Sequence, residues 1–190
     1  CIRDRVNGAC ALPGFTFSEV VGPLELPAGS YDIAIGLANA DAPCSADPVI
    51  EANGVELASD TSYSIVAHLT QDGAPTASVF ENDLYGGRYF AGLNIFHTAA
   101  APTVDVRLDR PKRFWWGRTV RNISNGEAKS TILWRGSWDA RIRPAGTRTT
   151  VFGPARLELQ DRTTYLVYAV GSLTNETFTV LVAATDAEEY

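Results

Sequence analysis

The chain predicts an all-β fold arranged as two tandem β-sandwich domains, and three observations carry that expectation. Short runs rich in Val, Ile, Tyr, Phe and Thr alternate with Gly, Pro, Asn and Asp, the pattern of strands and turns. No long window has the period of an amphipathic helix. Two stretches 102 residues apart match without a gap, Val55-Glu-Leu-Ala-Ser-Asp-Thr-Ser-Tyr-Ser-Ile-Val-Ala67 and Leu157-Glu-Leu-Gln-Asp-Arg-Thr-Thr-Tyr-Leu-Val-Tyr-Ala169. An internal repeat sets the architecture before any motif does.

Taken in order, the elements follow from period-two alternation and turn residues. Arg3-Asp4-Arg5 can be laid on Leu108-Asp109-Arg110, and Asn7-Gly8 supplies a turn that tolerates positive φ. Leu24-Glu25-Leu26 reads as a strand ending at Pro27-Ala28-Gly29. The chain then re-enters a strand at Tyr31, with Tyr31, Ile33 and Ile35 on one face. Gly29 to Ile35 matches Gly136 to Ile142 at a spacing of 107, so the first copy has five extra residues, placed in a loop around Asn39 to Pro48. Val55 and Leu57 point one way, Ser59-Asp60 turns the chain, and Tyr63 to Leu69 forms the next strand. The second copy repeats this with Leu157, Leu159, Gln160-Asp161 and Tyr165 to Val170. Asn53-Gly54 and Asn125-Gly126 are further turns, and Ser78-Val79-Phe80 lies on Val180-Leu181-Val182. The join falls within Asp83 to Gly87, giving domains 1–84 and 85–190.

Composition bounds the function. At 190 residues and 45% hydrophobic the chain can bury two modest cores. No run approaches the roughly 18 apolar residues of a membrane-spanning helix. The chain starts at Cys1 and contains no Met, so a processed or truncated end is expected, and secretion stays open. Residues 1–84 carry 2 basic and 12 acidic side chains, whereas residues 85–190 carry 14 basic and 10 acidic. Two like domains of opposite sign can attract each other, with sensitivity to salt; the plainer reading is that acidity solubilises the first copy. Of three cysteines, Cys10 and Cys44 are the expected disulfide pair in an exported protein, leaving Cys1 as the odd thiol.

Motifs for metal binding, nucleophilic catalysis and phosphate binding are absent, so no catalytic, metal or cofactor residues are assigned and a non-enzymatic role is expected. Asp32 and Asp139, like Glu56 and Glu158, are repeat equivalents, for which a scaffold role outweighs paired-carboxylate catalysis. The most individual segment runs from Arg107 to Arg121 and sets six basic residues around three aromatics. Within it, Arg110, Lys112, Arg113, Phe114, Trp115, Trp116 and Arg118 are the candidate interface or ligand-binding residues. Three readings stand for them: a hairpin whose aromatics cover the core, a protein interface, or a carbohydrate-binding surface. Nucleic acid does not suit so acidic a chain.

Phe96-His97-Thr98-Ala-Ala-Ala-Pro102-Thr103-Val104-Asp105-Val106 resembles the opening signature of the DUF4397 family. Leu24-Glu-Leu-Pro-Ala-Gly-Ser-Tyr-Asp32 resembles that family's central turn, and Tyr165 to Leu173 with Phe178 to Ala183 its closing strand pair. The resemblance implies immunoglobulin-like antiparallel β-sandwich modules of exported bacterial proteins, often in tandem, with no established enzymatic activity. His97 is then a structural residue, bonded across the Pro102 connection. Copy two departs at Trp134-Arg135-Gly136, which lacks the Pro-Ala before Gly. Copy one has no counterpart of Arg88 to Asp105 and so lacks its opening strand. Three explanations stay open: a preceding stretch absent from this sequence, a strand donated by a neighbour, or a degenerate domain. The expected role is a non-catalytic extracellular or cell-surface structural protein of a bacterium, a filament or surface-complex subunit partnered by protein. The alternative is a carbohydrate-binding module using Trp115 and Trp116.

Overall fold

The computed structural model describes residues 2–37, 47–111 and 117–187, and over these the chain is all-β. It divides into two units, Cys1–Asn82 and Asp83–Tyr190. Unit 1 contains β1 (Ile2–Val6), β2 (Ala9–Phe15), β3 (Gly29–Leu37), β4 (Pro48–Leu57), β5 (Tyr63–Leu69) and β6 (Pro75–Glu81). They form a four-stranded sheet in the order β2-β1-β3-β4 and a two-stranded sheet of β5 with β6. Cys10 on β2 is disulfide-bonded, while its expected partner Cys44, like Cys1, lies outside the described residues.

Unit 2 contains β7 (Phe90–His97), β8 (Val104–Asp109), β9 (Gly117–Ile123), β10 (Glu127–Trp134), β11 (Gly136–Pro144), β12 (Phe152–Leu159), β13 (Thr163–Val170) and β14 (Thr179–Asp186). Its sheets run β10-β7-β13-β14 and β12-β11-β8-β9. Alternate residues of each strand point inward, so Leu93 and Ile95 of β7, Val106 and Leu108 of β8, Leu133 of β10 and Trp138 and Ile142 of β11 meet in one buried core. Each such side chain stabilises the fold by roughly 1.5–3 kcal/mol relative to exposure. Among the described strand pairings all are antiparallel except β7 with β13, which run parallel from Gly92 opposite Thr164 to His97 opposite Ala169. From β7 the chain passes to β8 in the other sheet, and His97 Nε2 lies 2.9 Å from the Pro102 carbonyl across that connection, as the family resemblance implied.

Matching residues hold matching pairings in the two units. Gly29, Ser30 and Tyr31 oppose Leu57, Glu56 and Val55, as Gly136, Ser137 and Trp138 oppose Leu159, Glu158 and Leu157. The aromatic of each block pins the corner before it: Tyr31 Oη donates to the Pro27 carbonyl at 2.6 Å, and Trp138 Nε1 to the Trp134 carbonyl at 2.8 Å. The tyrosine of the other block does the same for its turn. Ala58 N–H donates to Tyr63 Oη at 3.3 Å and Gln160 N–H to Tyr165 Oη at 3.0 Å. The repeated carboxylates are tied into backbone and side-chain contacts, Asp32 accepting from Gly54 N–H at 2.8 Å and Asp139 from Arg156 Nε at 2.7 Å.

Four sequence expectations change. Asn53-Gly54 makes no turn between strands: it lies inside β4, where Gly54 at φ 67° sits at the register shift opposite Tyr31 to Ile33. Val6 opposes Ile33 as Leu108 opposes Ala140, so Arg3-Asp4-Arg5 corresponds to Asp105-Val106-Arg107 and not to Leu108-Asp109-Arg110. The shared Asp-Arg of the two stretches had suggested the wrong offset. Val66 opposes Ser78 as Tyr168 opposes Leu181, which shifts Ser78-Val79-Phe80 one residue, onto Leu181-Val182-Ala183. Leu24-Glu25-Leu26 forms no strand; residues 16–28 are turn and irregular structure. Its counterpart in unit 2, β10, is held by β7, and the described part of unit 1 has no strand in β7's place. A lone extended segment leaves its backbone groups without partners and does not persist as a strand.

On β5, His68 is buried, with Nε2 2.8 Å from Ser78 Oγ and Nδ1 3.0 Å from the Leu69 carbonyl. The carbonyl makes Nδ1 the donor, and in the neutral ring Nε2 then accepts from the Ser78 hydroxyl. Burial pushes its pKa below the usual 6.5, against the upward pull of the Leu69 carbonyl. Because the folded state binds the proton less readily than the unfolded state, His68 contributes stability above pH 6.5 that is lost as pH falls through its folded pKa. We expect the imidazole to titrate below 6.5 by NMR, and His68→Gln to flatten the acid side of the stability profile measured by urea unfolding.

Candidate interaction surface

The site is built in unit 2 where three separate stretches meet. The first, Asp83 to Tyr89, runs over the outer face of β7. Asn94 holds its start, with the Asp83 N–H donating to Oδ1 at 3.0 Å and Nδ2 donating to the Asp83 carbonyl at 2.8 Å. Thr164 Oγ1 donates to the Tyr85 carbonyl at 3.2 Å. Gly92 makes this approach possible, since a Cβ there would sit 2.1 Å from that carbonyl oxygen. Gly87 and Phe90 then exchange backbone hydrogen bonds of 3.2 and 3.0 Å, closing a tight turn that projects Arg88 and Tyr89.

The second stretch is the corner from β10 to β11, Trp134-Arg135-Gly136. Gly136 adopts φ 111°, open to glycine and strained for other residues. Arg135 N–H donates to the Tyr89 carbonyl at 2.9 Å, locking corner to turn. The Trp134 ring lies 4.5 Å from Phe90 and 6.4 Å from Tyr89, centroid to centroid. The guanidinium carbons of Arg88 and Arg135 stand 5.5 and 5.6 Å from the Tyr89 ring centre, within cation–π range. Arg135 also pairs with Asp161 at 3.1 Å, an exposed contact that adds little stability and mainly orients the guanidinium.

The third stretch is the base of the basic-aromatic segment. Arg110 Nη2 donates to the Arg135 carbonyl at 2.5 Å, and its guanidinium stands 5.4 Å from the centre of the Trp138 ring. Arg118 is exposed on β9. Lys112, Arg113, Phe114, Trp115 and Trp116 lie outside the described residues. Behind this base, Asp109 bridges Arg107 at 2.6 Å and Arg141 at 2.9 Å, so two like charges directly opposite on β8 and β11 share one carboxylate. Gly117 leaves room for that group, because a Cβ there would lie within 2.5 Å of both Arg107 and Asp109.

The outcome is an exposed patch in which Tyr89, Trp134 and Ile132 remain open to solvent beside three arginines. Of the residues expected from sequence, Arg110 belongs to it. Arg88, Tyr89, Trp134 and Arg135 were not among them. For Trp134 and Arg135 the signal was present in the replacement of Pro27-Ala28 at otherwise matching corners; Arg88 and Tyr89 carried none. A patch of large aromatics with guanidinium groups can bind by stacking, apolar burial and charge-assisted hydrogen bonds.

Substituting Gly92→Ala is expected to destabilise the protein by about 1–3 kcal/mol, because the Tyr85 carbonyl and the turn behind it must move. Thermal unfolding followed by Trp fluorescence checks this, and a melting temperature equal to the parent's would contradict the stated packing.

A solved structure from Bacteroides ovatus ATCC 8483, named as a candidate cell adhesion protein, is similar to this chain at 12% identity and a TM-score of 0.35, covering 90% of this chain and 76% of its own. No curated protein matches. The family model for a domain of unknown function, DUF4397, matches residues 5–107, from β1 through most of β8. Since the matched stretch is more than half of the chain, the protein belongs to the DUF4397 family.

Proposed function

We propose that this protein is a non-catalytic, exported surface component, two copies of the family's immunoglobulin-like module working by association with other proteins. The observation that carries the reading is the exposed patch of Tyr89, Trp134, Arg88 and Arg135, whose backbone is fixed by hydrogen bonds before any partner arrives. Trp, Tyr and Arg dominate binding energy at protein interfaces, and a preorganised patch loses little conformational freedom on binding. The acidic first half of the chain, with 12 acidic and 2 basic side chains over residues 1–84, is a surface of complementary sign on a second copy. Filament or surface-complex assembly is the natural use of such a pairing.

A second reading is carbohydrate binding, favoured by one feature: Tyr89 and Trp134 present large rings to solvent, next to arginines able to hydrogen-bond hydroxyl or acidic sugar groups. Under that reading Trp115 and Trp116, which lie outside the described residues, stay further candidates for stacking on a sugar.

Sedimentation at micromolar concentration separates the two. Association at low salt that weakens as salt rises, and falls about tenfold or more with Trp134→Ala, supports assembly. A chain that stays monomeric at both salt concentrations, yet binds glycans and loses them with Trp134→Ala and Tyr89→Ala, replaces assembly with the carbohydrate reading.

A further inference from the structure

The sequence holds three Asn-Gly pairs, at Asn7, Asn53 and Asn125. In such a pair the glycine nitrogen can close on the asparagine side-chain carbon, and glycine, with no Cβ, obstructs that approach least. The fold treats the three differently. At Asn125, Nδ2 donates to the Ala99 carbonyl at 2.6 Å, and the Gly126 N–H donates to the His97 carbonyl at 2.8 Å, an acceptor that cannot carry the proton away. At Asn7, Oδ1 accepts from the Asp32 N–H at 2.9 Å, which ties that side chain to β3. At Asn53 it is the attacking nitrogen that is engaged, and by a base. Tyr31 opposes Val55 and Ile33 opposes Ala52, so the single residue Asp32 faces both Asn53 and Gly54 in a bulge. There the Gly54 N–H donates to Asp32 Oδ1 at 2.8 Å. Asp32, Asn53 and Gly54 are all exposed, and a Cβ on Gly54 would meet nothing within 4 Å, so water reaches the site. In unit 2 the matching carboxylate, Asp139, holds the guanidinium of Arg156, the residue that stands where Gly54 does.

We propose that Asn53 is a self-modification site, where Asp32 is the general base that turns the side-chain amide into a cyclic imide and so into isoaspartate and aspartate. The Gly54 nitrogen bonds to Asn53 Cγ as its proton passes to the Asp32 carboxylate. The bond from Cγ to Nδ2 then breaks, and the side-chain nitrogen leaves as ammonia with that proton, which restores Asp32. Water opens the imide at either carbonyl. Attack at the main-chain carbonyl leaves the chain running through Cγ, an isoaspartate with one more backbone atom in β4, whereas attack at Cγ leaves aspartate. Either product sets a second carboxylate beside Asp32, and like charges facing each other across a strand pair destabilise it. The reaction needs only water, and it loosens β3 from β4 as the chain ages.

The test incubates the 190-residue chain at neutral pH and follows the three Asn-Gly pairs by peptide mass spectrometry, with an isoaspartyl-specific methylation assay to identify the product. Conversion is expected at Asn53 ahead of Asn7 and Asn125, and unfolding the chain in urea is expected to level the three rates. In the folded parent the rate at Asn53 rises less steeply with pH than hydroxide concentration does. Asp32→Asn slows that conversion by about tenfold or more, a modest share of what a positioned base contributes, and restores the hydroxide dependence. Loss of the carboxylate also loosens the bulge, so a purely structural role for Asp32 carries the opposite sign, faster conversion. A rate at Asn53 no higher than in urea overturns the proposal, as does a rate in Asp32→Asn equal to or above the parent's. Hydrogen exchange on aged samples reads the consequence: the parent loses amide protection in β3 and β4, and Asn53→Gln keeps it. Equal loss in both overturns the loosening.

Discussion

The structure of unit 2 depends on the satisfaction of β7 on all four sides. Its two edges are taken by β10 and β13, its inner face by the core, and its outer face by the stretch from Asp83 to Tyr89. A strand so enclosed cannot leave a backbone group unpaired without a penalty comparable to a lost hydrogen bond, so each neighbour is fixed by what β7 requires. Gly92 and Asn94 are the residues that make the outer face work. One removes the side chain that would strike the Tyr85 carbonyl, and the other meets both backbone groups of Asp83. The turn carrying Arg88 and Tyr89 therefore inherits its position from β7.

The same dependence explains what could be read from the sequence. Alternation and local turn chemistry were enough for β3, β5, β11, β13 and the last residues of β4 and β12, because the aromatic and tyrosine contacts that define them lie within five residues along the chain, as with Tyr31 to Pro27 or Gln160 to Tyr165. The His97 connection came from the family resemblance, not from alternation or turn chemistry. Leu24 to Leu26 was misread because whether it becomes a strand is decided by a neighbour distant in sequence and not by its own residues. The patch was missed likewise: Tyr89, Arg110 and Trp134 come together only through pairings that span 25 residues or more, such as Arg110 to the Arg135 carbonyl.

Charge counted along the chain also differs from charge at the surface. The basic excess of the second half suggested a broadly positive domain. In the folded unit Arg107 and Arg141 share Asp109, Arg156 pairs with Asp139, and Arg135 pairs with Asp161. Half-exposed pairs of this kind contribute little to stability, yet they neutralise the flank of β8, β11 and β12. What remains distinctive at the corner is the placement of guanidinium groups against aromatic rings. Attraction there is short-ranged and survives screening better than a net charge does.

The two corners at Gly29 and Gly136 show how one framework yields two different surfaces. In both, an aromatic two residues after the glycine donates to the carbonyl four residues before itself, Tyr31 to Pro27 and Trp138 to Trp134. Proline and alanine in the first corner present no large side chain, and proline has no N–H to offer a neighbouring strand. Tryptophan and arginine in the second present both, with the Trp134 ring packed on Phe90 and the Arg135 amide donating to the Tyr89 carbonyl. The second corner can be stable as an exposed, rigid patch because the strand leading into it is held by β7. The first, preceded by a segment without a strand partner among the described residues, can only be an irregular apolar stretch. One pairing, β10 with β7, thus separates a fixed aromatic corner from an irregular apolar one.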